Sequence, residues 1–365
     1  MTPSRSRTAF IDLLRILLTV LVILHHVAIE YGGAGGWYWR EQPNGSNLPL
    51  ILFNATNQSF FMGFFFMLAG YFTPSSYEKK GPRRFLVERF LRLGVPLVIY
   101  FFLVSPLTIA LSGTASGRPL WSSWGQLILQ RQFEPGPLWF AEALLIFALL
   151  YCGWRTVWRR GGTEVPHWPG PVALVTAALA IGVVSFLVRL VIPTGQNLLW
   201  LQLGYFPGYV VLFCFGCWAS RGQLLERVTW RMARPWLVLS LLAITTLPVV
   251  LATNFGSGKF EGGWSSRAAI YAAWDPLVAW GVILTLLASF KKLWPTAGPV
   301  SEWFGQHAYA AFCIHPPVVV GLSLAFHAVS MPPILKFVLV GTSAAAGSFL
   351  VAGFLRAIPG AKRVL

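Results

Sequence analysis

Four ionisable residues interrupt the first long apolar run of the chain, which reads FIDLLRILLTVLVILHHV over residues 10–27. Arg15 and His26 are eleven residues apart, which on an α-helix is three turns plus about 20°, so both lie on one face, about 16 Å apart along the axis. Asp12 precedes Arg15 by one turn and can pair with it, whereas His25 points about 100° away from His26. Because the pKa of imidazole lies near neutral pH, His26 is a candidate general base.

Arg15 and His26 also fit a purely structural interpretation, which the sequence leaves open. Arg15 could extend towards the lipid headgroups with Asp12 as its partner. His26 could be an interfacial histidine near the end of its helix. A helix that carries Asp, Arg and His on one stripe is nevertheless expected to turn that stripe towards the protein interior, because charged groups are costly in lipid.

Further candidates lie in four later segments. Arg89 and Arg92 have the i, i+3 spacing that lets two guanidinium groups hold a phosphate-bearing ligand, although they also fit the positive charge expected beside a membrane. Glu142 follows the start of an apolar segment, His315 immediately precedes two prolines, and Asp275 lies within an apolar run. For these last three residues, a structural role fits the sequence as well as a catalytic one.

The elements that must position these residues are transmembrane helices. Of 365 residues, 56% are hydrophobic and 11% are charged, whereas a soluble domain carries about 25% charged residues. Ten apolar segments are long enough, or nearly so, to cross about 30 Å of lipid. They lie near residues 10–30, 50–72, 91–111, 138–157, 172–192, 203–220, 235–252, 269–289, 305–326 and 334–356. We expect an all-α polytopic bundle of about ten spans, as a single domain over residues 1–365.

The basic residues predict the orientation. With a cytoplasmic N-terminus, 20 of the 28 Lys and Arg residues fall on the cytoplasmic side and seven on the other, as the positive-inside rule requires. Both termini are then cytoplasmic, and residues 73–90 form the largest cytoplasmic loop. The net charge of +16 is therefore explained by contact with membrane lipid and not by nucleic acid.

The first apolar segment is interpreted as a retained transmembrane helix and not as a signal peptide, because it holds four ionisable residues and no small-x-small cleavage site. The four cysteines include a C-x-x-C at Cys214 and Cys217 without a second pair or a nearby histidine, so no metal site is predicted. Nucleotide-binding and zinc-protease motifs are also absent from the sequence.

Trp and Tyr residues at 37–39, 121 and 124 suit an interfacial belt, and would also suit stacking on sugar rings.

Five motifs, in order, resemble those of the membrane-bound acyltransferase family 3. They are R-x10-H in the first segment, F-F-x-x-x-G-Y ending at Tyr71, R-x-x-R-x-x-x-P at 89–96, P-L-W-F containing Trp139, and A-Y-x5-H-P containing His315. Ala69 stands where serine is common in the second motif. The ending, residues 357–365, resembles the glucan-biosynthesis subgroup of that family.

The resemblance implies an enzyme that O-acylates a carbohydrate with a cytoplasmic acyl-CoA, such as acetyl-CoA or succinyl-CoA, in the inner (plasma) membrane of a bacterium. It implies His26 as catalytic base with Arg15 and, less securely, Glu142, and Arg89, Arg92 and Tyr71 as acyl-CoA-binding residues. Asp12, His25, Trp139 and His315 are supporting residues. No bound cofactor is expected, since acyl-CoA is a co-substrate.

Two rival functions also follow from the residues. A secondary transporter or flippase of a lipid-linked or sugar substrate could use Asp12, Arg15, His26 and Glu142 as a relay. The sequence shows no inverted repeat, which counts mildly against this function. A purely structural scaffold is disfavoured because several ionisable groups lie inside spans.

Overall fold

The fold is all-α across the residues that the computed structural model describes, which are 9–42, 44–158, 166–253, 255–296 and 298–365. An isolated bridge between Leu198 and Leu201 is the extended pairing found there. The α-helices are α1 (Ala9–Glu30), α2 (Leu48–Arg89), α3 (Val95–Ile99), α4 (Ser105–Gly113), α5 (Leu120–Leu129), α6 (Trp139–Val157), α7 (Pro171–Val191), α8 (Phe206–Ser220), α9 (Leu224–Arg227), α10 (Trp230–Ala252), α11 (Ser266–Leu293), α12 (Pro299–Ala325) and α13 (Pro333–Ala357).

Nine helical stretches in the described ranges are long and apolar enough to cross a membrane, and one of them, Leu48–Ser116, has 69 residues. This stretch contains the second and third predicted spans. Gly81 interrupts it with φ +71° and ψ 167°, a left-handed conformation that glycine adopts without strain. Pro82 follows, and proline is well tolerated at the start of a helix. The predicted loop at 73–90 is therefore wrong, because a break at one glycine replaces it and the flanking basic residues are helical.

Two π-helical turns follow α2, at Phe90–Gly94 and Tyr100–Val104. The wider π turn changes which side chains share a helix face, and such turns are frequent at functional sites. Arg92 lies in the first turn and Tyr100 in the second. The helical period used for the i, i+3 spacing of Arg89 and Arg92 therefore does not hold at this point.

The chain divides into two compact units. Unit 1 comprises the described residues of Met1–Arg15, Thr56–Lys79 and Trp158–Pro299, and unit 2 comprises those of Ile16–Ala55, Lys80–Val157 and Val300–Leu365. In unit 1, α7 and α10 both pack against α11. Helices α2 and α8 approach closely at two glycines. A Cβ on Gly70 would lie 2.2 Å from the Phe213 carbonyl oxygen, and a Cβ on Gly216 would lie 2.1 Å from the Met67 carbonyl oxygen. Small residues allow such contacts between membrane helices.

Unit 2 has a core in which the second part of α1 packs against α12 and α13. Ile23 and Val27 from α1, Val319 from α12 and Val340 from α13 are fully buried in one cluster. Van der Waals packing of such side chains contributes to the association of helices in a membrane. This packing fixes the end of α1 that carries His25 and His26.

The segment between α1 and α2 is held within unit 2 by hydrogen bonds. Gly33 N–H donates to the Ala28 carbonyl at 2.7 Å, and Asn47 N–H donates to the Gly32 carbonyl at 2.9 Å. The Asn54 side-chain amide donates to the Ala34 carbonyl at 2.8 Å. These bonds anchor the segment that carries Trp37 and Tyr38.

Candidate active site

Three nearly parallel aromatic rings of unit 2 meet at His26. The His26 ring lies 3.8 Å from Trp37 with 14° between the planes, and 5.2 Å from His315 with 13° between them. Trp37 and His315 are themselves 5.9 Å apart and parallel to within 8°. His25 meets His26 edge-on at 5.6 Å and 88°. These contacts fix the plane of the His26 imidazole, as a positioned general base requires.

The His26 and His315 rings each carry a nitrogen without a partner. His26 Nδ1 and His315 Nε2 are buried and make no hydrogen bond to the described residues. The His26 ring as a whole is partly exposed, whereas His315 is completely buried. The site therefore has unused hydrogen-bonding capacity, which buried polar groups rarely retain without a function.

Glu30 belongs to this site and is not among the residues that the sequence motifs single out. It lies one turn after His26 on α1 and is 1% exposed. The Trp37 indole N–H donates to Glu30 Oε1 at 3.0 Å, and the Ser323 hydroxyl donates to Oε2. The carboxylate thus holds Trp37 against His26. The i, i+4 spacing of His26 and Glu30 was the available signal.

Tyr38 extends the site from Trp37 towards a second polar cluster of unit 2. Its ring lies 5.0 Å from Trp37, and its hydroxyl is 3.0 Å from that of Tyr100. Burial raises the pKa of Tyr38 above its usual range, and the nearby Glu134 carboxylate raises it further. Burial also raises the pKa of Glu134, while its hydrogen bond with Tyr38 opposes that rise. Neither Glu134 nor Tyr100 belongs to a motif recognised in the sequence.

Gly136 borders this second cluster. Its φ is +47°, and a Cβ built on it would lie 2.2 Å from the Tyr38 hydroxyl and 2.8 Å from that of Tyr100. A side chain at this position would therefore displace the two hydroxyl groups. The GPLW sequence leads into α6 here because glycine both adopts the left-handed conformation and leaves room for Tyr38.

Asp12 and Arg15 form the ion pair that their spacing predicts. The two side chains bond to each other at the start of α1 and are 43% and 45% exposed. The Arg15 guanidinium also lies 5.9 Å from the Phe72 ring. Both residues belong to unit 1, whereas His25 and His26 belong to unit 2. The pairing agrees with the structural interpretation of Asp12 as a partner of Arg15, and the role of Arg15 in transfer stays a prediction.

The basic residues around the first π turn have different neighbours from those expected. Arg89 lies 5.3 Å from the Phe85 ring, and Arg92 is exposed. Arg92 lies within electrostatic range of Arg356, which donates to the C-terminal Leu365 carbonyl. A second arginine within electrostatic range of Arg92 adds positive charge that favours an anion here. Arg356 lies 264 residues further along the chain, so sequence spacing could not predict its proximity.

The remaining candidates have separate environments. Glu142 is partly exposed and lies in the first turn of α6. Trp139 contacts Phe140, which contacts Phe312 in α12, so the start of α6 is joined to the helix of His315. In unit 1, the Tyr71 hydroxyl donates to Glu226 Oε1 at 3.2 Å.

Asp275 has a structural partner in unit 1. Arg189 Nη2 donates to Asp275 Oδ2 at 2.5 Å, and its Nε donates to the Gly204 carbonyl at 3.0 Å. The guanidinium lies 5.2 Å from the Tyr205 ring and 5.1 Å from the Tyr271 ring. A buried charge pair enclosed by aromatic rings accounts for Asp275 without a catalytic role.

The fold and this site are those of a multi-pass membrane protein with an imidazole near one helix end. A family model described as an acyltransferase domain matches residues 8–353. The chain therefore belongs to acyltransferase family 3 and is an acyltransferase of groups other than amino-acyl groups.

Curated relatives match over a limited region. Glucans biosynthesis protein C of Escherichia coli K12 is 27% identical over 154 residues, which are 40% of this chain and 38% of that protein. The protein of the same name from E. coli O6:K15:H31 is 26% identical over the same length and shares. The matched region thus spans well under half of these relatives. No solved structure matches the chain.

Proposed function

We propose that this enzyme transfers an acetyl or succinyl group from cytoplasmic acyl-CoA to a hydroxyl of a cell-envelope or exported carbohydrate, with His26 as general base. The observation that carries the proposal is the His26 imidazole held by Trp37 and His315 at the end of α1. Membership of acyltransferase family 3 supports the reaction class. The name of the E. coli relatives supports a glucan-type acceptor. We place the protein in the inner membrane of a bacterium, with both termini in the cytoplasm.

The reaction balances without a metal or nucleotide cofactor. His26 takes the proton of the acceptor hydroxyl while the oxygen attacks the thioester carbonyl. The carbon–sulfur bond then breaks, and the protonated His26 returns the proton to the CoA thiolate. Because a thioester is already activated, positioning and proton transfer supply the rate enhancement.

The aromatic residues beside His26 suit a saccharide acceptor. Trp37 and Tyr38 present adjacent rings, and Tyr38 and Glu134 supply polar groups next to them. A sugar ring combines an apolar face, which packs on an aromatic ring, with hydroxyls that need hydrogen-bond partners. This pair of rings is the basis for preferring a carbohydrate over a simple alcohol.

The donor is expected to bind at the basic end of unit 2. Arg92 and Arg356 lie within electrostatic range of each other there, and Arg89 precedes Arg92 by three residues. Guanidinium groups pair with phosphates through charge-assisted hydrogen bonds. The CoA nucleotide carries such phosphates, so these residues are proposed to bind acyl-CoA.

A transfer assay tests the proposal. The protein in lipid nanodiscs is incubated with radiolabelled acetyl-CoA or succinyl-CoA and β-glucan oligosaccharides, and label in the glycan is measured. His26→Ala should abolish transfer, whereas His167→Ala, which alters an exposed histidine of unit 1, should not. Equal transfer by the wild type and His26→Ala would refute the site. Vesicle uptake of labelled oligosaccharide without acyl transfer would instead establish the transporter.

A further inference from the structure

We propose that His315 positions the catalytic imidazole, by accepting a hydrogen bond at Nε2 from the Nδ1–H of His26. This inference rests on the proposed function, because it assigns a role within the same transfer. It is carried by the tautomer of His315, the two unpartnered nitrogens and the relative orientation of the rings.

The tautomer of His315 follows from the proline after it. In an α-helix, the N–H of residue 316 would bond to the carbonyl of residue 312, but Pro316 has no N–H. The freed Phe312 carbonyl lies 2.7 Å from His315 Nδ1. A carbonyl can only accept, so Nδ1 carries the proton. In the neutral ring, Nε2 is then an acceptor, and it is buried without a partner among the described residues.

His26 presents the complementary atom. A base that takes the acceptor proton at Nε2 must carry its own proton at Nδ1. His26 Nδ1 is buried and has no partner in the described part of the chain. The Nδ1–H of His26 is therefore a donor without an acceptor, and Nε2 of the nearby His315 is an acceptor without a donor.

The separation of the His26 and His315 rings is compatible with this bond. Two imidazoles that share an in-plane N–H···N bond of about 2.9 Å have centroids about 5 Å apart. The His26 and His315 centroids are 5.2 Å apart, with 13° between the planes. The two nitrogens are not bonded to each other in this arrangement, so the proposed bond requires a side-chain rotation, and Trp37 is stacked on the His26 ring. His25 is perpendicular to His26 and does not offer this geometry.

The arrangement does the work of the carboxylate in a Ser-His-Asp triad. In that triad, the Asp fixes the tautomer of the His and stabilises the imidazolium that forms. Here the order is His26, His315 and the Phe312 carbonyl, and no carboxylate takes part. Glu30 is bonded to Trp37 and Ser323, and His26 Nδ1 makes no bond to it among the described residues.

Paired substitutions at residue 315 test the proposal. His315→Asn keeps an N–H donor for the Phe312 carbonyl but cannot reach His26. His315→Gln can place an amide oxygen near the position of Nε2. We expect His315→Asn to lower kcat by about 10–100-fold with KM for acyl-CoA unchanged, and His315→Gln to retain more activity than His315→Asn.

A second pair leaves His315 intact. Pro316→Ala restores an N–H that bonds to the Phe312 carbonyl. The carbonyl then no longer fixes the proton of His315 at Nδ1. Pro317→Ala restores a bond to the Cys313 carbonyl instead and is the matched control. We expect a fall in kcat for Pro316→Ala and not for Pro317→Ala, with thermal unfolding midpoints measured for all variants.

The double variant His26→Ala/His315→Asn separates positioning from structure. If His315 acts through His26, the double variant is no slower than His26→Ala alone. An additional loss, wild-type kcat in His315→Asn, or equal rates in the two proline variants would overturn the inference. Full activity in His26→Ala would instead refute the proposed function, so the two failures are distinguishable.

Discussion

Trp37 lies flat against His26, with 3.8 Å between the ring centroids, and its indole N–H is bonded to Glu30 one turn further along the same helix. Trp37, from the segment between α1 and α2, thereby contacts one face of the His26 imidazole. The Glu30 carboxylate fixes the Trp37 indole, and the indole covers the His26 imidazole. The three side chains therefore act together.

Trp37→Phe tests the bond to Glu30, and Trp37→Ala tests the ring itself. Phenylalanine keeps an aromatic surface but leaves the Glu30 carboxylate without one donor. We expect Trp37→Phe to lower kcat/KM for the acceptor about tenfold and Trp37→Ala about a hundredfold, since stacking and orientation are lost together. Acyl transfer at varied acceptor concentration measures this. Trp264→Ala, at an 85% exposed position, is the control, and equal values for Trp37→Ala and wild type would contradict the role of Trp37.

Gly136→Ala should disturb the acceptor side of the site. The new Cβ would lie 2.2 Å from the Tyr38 hydroxyl. The alanine would also have to adopt the φ of +47° that Gly136 has. Gly117→Ala is the control, because Gly117 has φ +75° and no atom within 4 Å of the added carbon. Both variants should lose about 1–2 kcal/mol from backbone strain, but Gly136→Ala alone should raise KM for the acceptor. Equal KM values in both variants would show that Tyr38 does not bind the acceptor.

The pH dependence of stability should report Glu134. Burial raises the pKa of its carboxyl above the usual value, so between the two pKa values the folded state binds more protons than the unfolded state. Its contribution is therefore fully present below the ordinary Glu pKa and is lost as the pH rises through the raised value. Glu134→Gln removes this dependence. Unfolding in detergent between about pH 4 and pH 8, compared for wild type and variant, measures it, and parallel curves would contradict burial of Glu134.

Arg356→Gln should weaken donor binding. Removing the Arg356 guanidinium deletes a proposed charge-assisted contact to phosphate, worth about 1.5–3 kcal/mol. We expect KM for acyl-CoA to rise at least tenfold with kcat unchanged. Initial rates at varied acyl-CoA give this value, and Arg83→Gln, at another exposed basic position, should leave it unchanged. A fall in kcat alone would place Arg356 elsewhere in the mechanism.

The pair Arg189 and Asp275 should behave as a structural unit. Arg189→Met or Asp275→Leu alone leaves one buried charge unpaired, which costs about 3–5 kcal/mol. The double variant removes both charges and should recover most of the loss in thermal stability. Acyl transfer by the folded double variant should be retained. A double variant as unstable as the two single losses added together would exclude the ion pair as the cause.

The family, the all-α class and the reaction class could be predicted from local sequence, because they depend on hydrophobic length and motif order. The pairing of Asp12 with Arg15 followed from helical periodicity, as the structure shows. The loop at 73–90 was predicted wrongly, since one left-handed glycine before a proline interrupts the helix without ending it. Orientation in the membrane stays a prediction from the loop charges.

The sequence by itself determined that His26 and His315 are polar residues within apolar helices, and that Pro316 frees the Phe312 carbonyl beside His315. Only the tertiary structure decided that α12 packs against α1, which brings these imidazoles within 5.2 Å of each other. It also decided that Trp37 and Glu30 join them, and that Arg189 pairs with Asp275. The physical reason is that helical periodicity determines which face of its helix a residue lies on. The packing of the helices against one another determines which residues of other helices that face contacts.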